Sequence, residues 1–267
     1  MISPGMRHNA EIAARRQLDA GQALEASPDS LHIQLRELAR DVSRLRALPM
    51  TRDRVEMKRR TLLPKWTPTV EQYLARGEVY TNLVFSHCVI WLFDIGEFDR
   101  ALDWAEIAIE QGQPTPDNFK SRFPAFVADT VLEWAEREAE AGHSVEPYFS
   151  RVFAKVSDDW RLHEEISAKW FKFAGLLLLR DDTGKPLPSA IESIEQLQAA
   201  DALLAEAHKF HAPVGVKTLR EKIGMRIRGL QKRLPHGRAG AEEGDPSGED
   251  NQPVDPAVPS LNNEAAQ

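Results

Sequence analysis

The feature that most constrains this chain is a helical hairpin written into residues 82–109. An apolar run from Leu83 to Phe93 gives way to Asp94-Ile95-Gly96-Glu97, after which Phe98, Leu102, Ala105 and Ile109 recur at spacings of four, three and four. At 3.6 residues per turn, that spacing puts the second set on one face of a helix. Gly96 supplies the backbone freedom of a tight reversal, and small Ala101 and Ala105 let the two helices approach closely. A strand would alternate at every second residue, and no run does so for long enough to require a sheet. The expected fold class is all-α, made of helical hairpins with tetratricopeptide-like character.

Helical periodicity extends to both sides of this hairpin. Leu31, Leu35, Leu38, Val42 and Leu45 form a seam about two heptads long that stops before Pro49; it packs either within the protomer or between subunits. Thr51 or Asp53 opens a helix expected to end near Pro64, where proline withdraws a donor from the ladder. Trp66, Val70, Tyr73 and Leu74 mark another, with Pro68 in its first turn. Phe126, Val127, Val131, Leu132, Trp134 and Ala135 predict a helix closing by Gly142, and Val145, Phe149, Val152, Phe153 and Val156 one more before Asp158-Asp159. A looser second hairpin is expected between Trp170 and Leu204, with Gly175 and Ala190 bracketing a connection that contains Asp181 to Pro188.

A formal net charge of -7 conceals a strong segregation of sign. Residues 1–65 carry 13 Lys/Arg against 8 Asp/Glu, residues 66–211 carry 13 against 25, residues 212–239 carry 8 against 1, and residues 240–267 carry 0 against 7. The expected organisation is a flexible N-terminal segment (1–30), a basic helical region (31–65), an acidic helical body (66–211), a basic amphipathic helix (212–239) and a disordered acidic tail (240–267). The tail has no aromatic residue, and prolines 246, 253, 256 and 259 break any periodic face, so burial cannot offset the entropy of ordering it. It is expected to be dispensable for folding.

The two basic stretches are the candidate binding surfaces. Arg52, Arg54, Lys58, Arg59, Arg60 and Lys65 form either a nucleic-acid contact or an ordinary charged face. Further on, Lys217, Arg220, Lys222, Arg226, Arg228, Lys232 and Arg233 interleave with Val216, Leu219, Ile223, Ile227 and Leu230. That helix suits DNA phosphate, an acidic surface of a partner or of the chain's own body, or an anionic membrane face.

Catalytic signatures are sparse. There is no phosphate-cradling G-x-x-x-x-G-K-[ST] loop, and Gly184-Lys185 runs into Pro186, which cannot donate a backbone N–H. Asp158, Asp159, Glu164 and Glu165 form either a metal-gathering cluster or a solvated helix start with negative charge at its positive end. His208 and His211 are three apart with no third ligand beside them. Cys88, the single cysteine, sits in the apolar run and reads as a buried thiol, so no intrachain disulfide can form. No stretch approaches the roughly 18 apolar residues that span a bilayer, and no leader is evident. The chain is expected to stay inside the cell that makes it. No catalytic residue and no metal ligand can be assigned, and no cofactor is expected.

Met57-Lys58-Arg59-Arg60-Thr61-Leu62-Leu63-Pro64-Lys65-Trp66-Thr67-Pro68-Thr69-Val70, a basic run followed by Leu-Leu-Pro and an aromatic, resembles the phage P2-like terminase small-subunit family. The likeness continues through Trp91-Leu92-Phe93-Asp94-Ile95-Gly96-Glu97-Phe98-Asp99-Arg100-Ala101-Leu102 and covers roughly residues 31–233. It implies a subunit that selects concatemeric phage double-stranded DNA and recruits an ATP-driven terminase large subunit for packaging into the capsid. It also implies a homo-oligomer in the host cytoplasm, without membrane association. Family members are often labelled the endonuclease subunit, which leaves a second expectation of divalent-metal cleavage with Mg²⁺ or Mn²⁺. A helical-repeat adaptor that binds protein and not DNA is a third. The segment after residue 239 matches no family motif.

Overall fold

The computed structural model describes residues 31–180 and 184–233. The segments expected to be a flexible N-terminus (1–30) and a disordered acidic tail (240–267) lie outside the described residues, as does Asp181-Asp182. Within the described residues the chain is all-α: helices joined by turns, one isolated bridge between Arg180 and Pro186, and no strand. No helix among them is long and apolar enough to cross a membrane.

Helix α1 (Leu31–Ala47) turns Leu38 and Leu45 fully into the core, with Leu35 and Val42 packed at its edge, so the leucine seam is spent largely inside the protomer. Next comes a long helical stretch in two parts, α2 (Thr51–Met57) and α3 (Leu63–Arg76), joined by a π-helical turn at Lys58–Leu62. The expected stop near Pro64 is therefore wrong. In the widened turn Leu63 N–H donates to Lys58 O, five residues back, and Pro64 follows within the continuous helical stretch, where it withdraws one donor from the ladder. Pro68 lies inside α3, not in a first turn. Both prolines are exposed, one helical turn apart on the solvent side, where outward-tilting carbonyls can take water in place of the lost bonds.

Helix α4 (Leu83–Asp94) is the centre of the molecule. Nine of its residues are buried, among them Phe85, Cys88, Val89 and Leu92 at 0% exposure, which is why its apolar run has no polar face. Asn82 caps it by accepting from Phe85 N–H at 3.0 Å, and its own N–H donates to Gln113 Oε1 at 2.8 Å. Buried Gln113 also donates to Tyr73 Oη at 2.9 Å and to Tyr80 O at 2.7 Å, tying the entrance of α4 to the end of α3. The hairpin reverses as its sequence predicts. Gly96 takes φ 80°, Gly96 N–H donates to Phe93 O at 3.1 Å, and Glu97 N–H donates to Leu92 O at 3.0 Å, the paired bonds of a glycine-terminated helix. Helix α5 (Phe98–Glu110) then lays Ala101, Ala105 and Ala108 into the core.

Helix α6 (Phe123–Glu140) and the short α7 (Tyr148–Ala154) extend this core, with Phe149 stacked on Trp170 at a 5.2 Å ring separation. Helix α7 runs into a second π-helical turn, Lys155–Asp159, before α8 (Glu164–Leu178). Helix α9 (Ile194–Phe210) returns antiparallel to α8: Phe171 meets Phe210, Gly175 meets Leu204, and Gln196 donates to Leu178 O. Gly175 does not bracket the connection; it lies within α8 at the crossing, where a Cβ would come 2.9 Å from Leu204 Cγ and 3.1 Å from Ala200 O. The final helix, α10 (Lys217–Gln231), rests on a separate small core of Leu179, Ile191, Leu197, Ala200, Leu204, Val216 and Ile223.

Candidate nucleic-acid interface

The first basic segment is distributed over α2, the π-helical turn and the start of α3, and its cations do not share one environment. Lys58 Nζ lies 2.7 Å from Asp94 Oδ2 with its side chain only 13% exposed, and Arg59 donates to Ile95 O at 2.9 Å. Both clasp the C-terminal end of α4, where positive charge complements the helix dipole. Lys65 reaches Asp41 at 2.8 Å and Glu37 at 3.3 Å on α1 and lies over the Trp66 ring at 4.6 Å. Burial works against its ammonium, but the bonds to Asp41 and Glu37 outweigh it and hold its pKa above the ordinary lysine value. The Trp66 indole donates to the same Asp41 oxygen at 3.0 Å, so this 5%-exposed carboxylate anchors α1 to α3. The outward members are Arg52 and Arg60, paired with Asp53 and Glu56 on the same helical stretch, whereas half-buried Arg54 donates to Thr51 Oγ1 at 3.0 Å and lines, with Lys58, the cavity at the end of α4.

The second basic segment is α10 and the turn after it. Arg220 grips Asp201 of α9 through two bonds of 2.8 and 3.0 Å, a pairing that raises its pKa, and Arg226 Nε donates to Ile191 O at 2.9 Å. These two orient the helix on the small core. The other five candidates, Lys217, Lys222, Arg228, Lys232 and Arg233, are exposed and have no side-chain partner among the described residues. Grooves of about 660 and 540 Å³ run along the two flanks of α10, the first between α10 and α9, the second between α10 and the Pro186–Ser189 segment.

The acids singled out from sequence do not converge. Asp158 and Asp159 close the π-helical turn after α7, where Asp159 pairs with Lys155 at 3.0 Å, whereas Glu164 and Glu165 open α8. Glu165 instead faces a cleft of about 630 Å³ between α6 and α8, together with Asp129, Glu133, Glu136, Lys169 and Lys172 over a floor of Leu132, Phe173 and Leu176. Burial lifts the carboxyl pKa of Asp129 and of Glu136, and Lys169 opposes the rise in both. Among the described residues no three His, Cys, Asp or Glu side chains are placed to hold a metal ion. His208 lines the groove beside α10 and His211 the cleft beside α8, so the pair does not act together. Cys88 is wholly buried, and burial pushes its thiol pKa far up, which removes it as a nucleophile.

Sequence reading passed over two surfaces. Arg36, Arg40 and Arg44 recur every four residues on the exposed back of α1; Arg44 lies 3.7 Å from Asp41, while Arg36 and Arg40 have no partner among the described residues. The signal was the spacing itself, hidden behind the more conspicuous leucine seam. The cleft acids Asp129, Glu133 and Glu136 and the facing Glu165, Lys169 and Lys172 likewise repeat at four and three along their own helices.

A family model described as the phage small terminase subunit matches residues 35–165, which runs from within α1 to the start of α8 and leaves α9 and α10 outside. The chain is similar to a probable terminase, endonuclease subunit of Haemophilus phage HP1 (strain HP1c1), 43% identical over 195 residues, covering 73% of this chain and 69% of that protein. It is also similar to the terminase, endonuclease subunit of Escherichia phage P2, 26% identical over 178 residues, covering 67% of this chain and 72% of the relative. No solved structure matches it.

Proposed function

The chain belongs to the phage small terminase subunit family, and from that membership we propose that it binds viral double-stranded DNA and recruits the ATP-driven large subunit for packaging into the capsid. The observation that carries the DNA half of this reading is α10 with the turn after it, where Lys217, Lys222, Arg228, Lys232 and Arg233 stand in solvent with no partner among the described residues. Unpaired cations on one helix can each take a phosphate without first breaking an internal bond, and such contacts position a protein on a duplex without reading its sequence. Arg52 and Arg60 add a weaker second surface, because their partners on the same helical stretch hold them only loosely. Repetition of these surfaces in a closed homo-oligomer in the host cytoplasm would multiply weak contacts along one DNA segment. On this reading the helical hairpins α4/α5 and α8/α9 are tetratricopeptide-like and serve as the docking face for the large subunit.

The test is equilibrium binding of the purified chain to duplex DNA over a range of salt, with co-purification of the large subunit as a second readout. We expect log K to fall with log salt with a slope of about −0.9 for each phosphate engaged. A salt-independent or undetectable affinity would overturn DNA binding, and failure to co-purify would overturn recruitment. The endonuclease alternative is favoured by the names of both relatives and by the acid-lined cleft between α6 and α8. The donor set there does not gather closely enough to hold a metal ion, so no hydrolytic step is derived through one. Cleavage of duplex DNA by this chain alone, dependent on Mg²⁺ or Mn²⁺ and abolished by Glu133→Gln with Glu136→Gln, would put that reading first.

A further inference from the structure

We propose that the groove on the outer flank of α10 is the docking site of the chain's own acidic C-terminal segment, residues 240–267, which there occupies cations otherwise open to nucleic-acid phosphate. The surface has two components. Its rim holds Lys222, Arg226 and Arg233, and its floor exposes apolar side chains that a finished surface would cover, Met225 at 57% and Leu187 at 46%. A volume of about 540 Å³ fits an extended stretch of a few residues and not a folded element.

The chain beyond Arg233 matches both components. Arg238 is its last cation, after which residues 240–267 carry seven acids, Glu242, Glu243, Asp245, Glu249, Asp250, Asp255 and Glu264, and no Lys or Arg. The small apolar groups of Val254, Val258 and Leu261 are set among prolines 253, 256 and 259, which favour extended backbone and lack the N–H groups that would be left unpaired against an apolar floor. Reach is no obstacle. Helix α10, at 15 residues, is about 22 Å long, and the eight residues from 234 to 241 can span roughly 26 Å, so the first acids can return along the whole helix. Tethering by so short a linker gives an effective concentration in the millimolar range, enough to hold weak charge pairs closed. Residues 212–239 hold 8 Lys/Arg against 1 Asp/Glu and the segment after them 0 against 7, so the two are complementary nearly charge for charge.

The consequence for DNA rests on the proposed function above, whereas the contact within the chain does not, and the experiment separates them. The full chain is treated with a water-soluble carbodiimide, which condenses a lysine ammonium with a carboxylate in contact with it, and the products are mapped by mass spectrometry. A mixture of ¹⁵N-labelled and unlabelled chain distinguishes links within a chain from links between copies. We expect Lys222, on the rim of the groove, to be joined to Glu242, Glu243, Asp245, Glu249 or Asp250 of the same chain. No such links, or links only between copies, would overturn the proposal, the latter in favour of a second copy as the occupant. In parallel, a full-length variant with those five acids changed to their amides is titrated with a duplex of 20–30 base pairs. At low salt its affinity should exceed wild type on the order of tenfold, the gap closing towards 0.5 M salt as screening shortens the range of the charge pairs. Equal affinities at low salt would remove the competition with DNA. Same-chain links in a protein that binds no DNA in either form would uphold the docking while sinking the DNA reading.

Discussion

Lys58 and Lys222 are both lysines in basic helical stretches, and a charge count treats them alike. Folding separates them. Lys58 is 13% exposed and fixed to Asp94 at 2.7 Å, at the very end of the buried helix α4, while Lys222 stands in solvent with no partner among the described residues. The contrast holds for their neighbours: Arg59 and Lys65 are also turned onto carbonyl or carboxylate oxygens of the body, and Lys217, Arg228, Lys232 and Arg233 are not. The first segment lies over the large core and is used to fasten it, whereas α10 covers only a small satellite core, and two of the seven cations of α10 and its following turn, Arg220 and Arg226, suffice to seat it. Positive charge available to a ligand is therefore what remains after the fold has taken its share.

The largest effect that would break this comparison is on DNA affinity. Reversing Lys222, Arg228 and Lys232 to Glu should weaken duplex binding about a hundredfold at low salt and make the salt slope shallower, since about three phosphates would lose their contacts. Reversing Arg52 and Arg60 should cost about threefold to tenfold in the same titration. If the two variants lose equal affinity, the segments are not distinct in function. Lys65 is a poor choice for reversal, because a glutamate there would face Asp41 and Glu37 and perturb the fold itself.

Stability should show the opposite bias. Lys58→Ala removes a largely buried ammonium from Asp94, and its expected cost is about 2 kcal/mol in urea unfolding. Lys222→Ala should change the same midpoint by less than about 0.5 kcal/mol. Comparable losses at the two positions would contradict the assignment of Lys58 to the scaffold.

Smaller still is a pH effect at Lys65. Its folded pKa is raised, so its contribution is complete below the ordinary lysine pKa of about 10.4 and is lost as pH climbs through the higher folded value. Wild type should thus exceed Lys65→Met in stability at pH 8 and lose that margin as pH rises beyond the ordinary lysine range. The margin should stay under about 1 kcal/mol, because the side chain is 41% exposed and partly screened. A margin unchanged at high pH would mean that packing on Trp66, and not charge, fastens this residue. The least effect is expected from Asp158→Asn with Asp159→Asn, which should leave both the unfolding midpoint and the DNA affinity essentially unaltered, since only the exposed pair with Lys155 is lost.

How far the sequence could be read follows from the range of the interactions involved. The hairpin at 83–109 was legible because apolar spacing and a turn glycine coincide within one short window. The buried state of Cys88 followed from the same run. The π-helical turn was not legible, because Lys58 to Leu62 have the composition of an ordinary helix and the prolines that follow suggest a stop; only the exposure of Pro64 and Pro68 makes continuation tolerable. Nor could the partners of the cations be read locally, since Lys58 and Asp94 are 36 positions apart and Lys65 and Asp41 are 24 apart. The acids of the α6/α8 cleft were missed for a related reason. Each helix displays an unremarkable charged face, and only their packing turns the two into opposing walls.

The π-helical turn also makes the length of this stretch a discrete quantity. One residue more or fewer in a regular helix turns everything beyond it by about 100°. Here the extra residue is absorbed in the wider turn, so that Arg54 and Lys58 keep the azimuth that meets the end of α4 while Leu62, Leu63, Trp66, Val70 and Tyr73 keep the one that meets the core. Deleting a single residue between Lys58 and Leu62 would let the helix become straight and more regular. It would then still meet both the hairpin and the core, whereas deleting a residue within α2 or α3 would turn one of the two sets of contacts away from its partner.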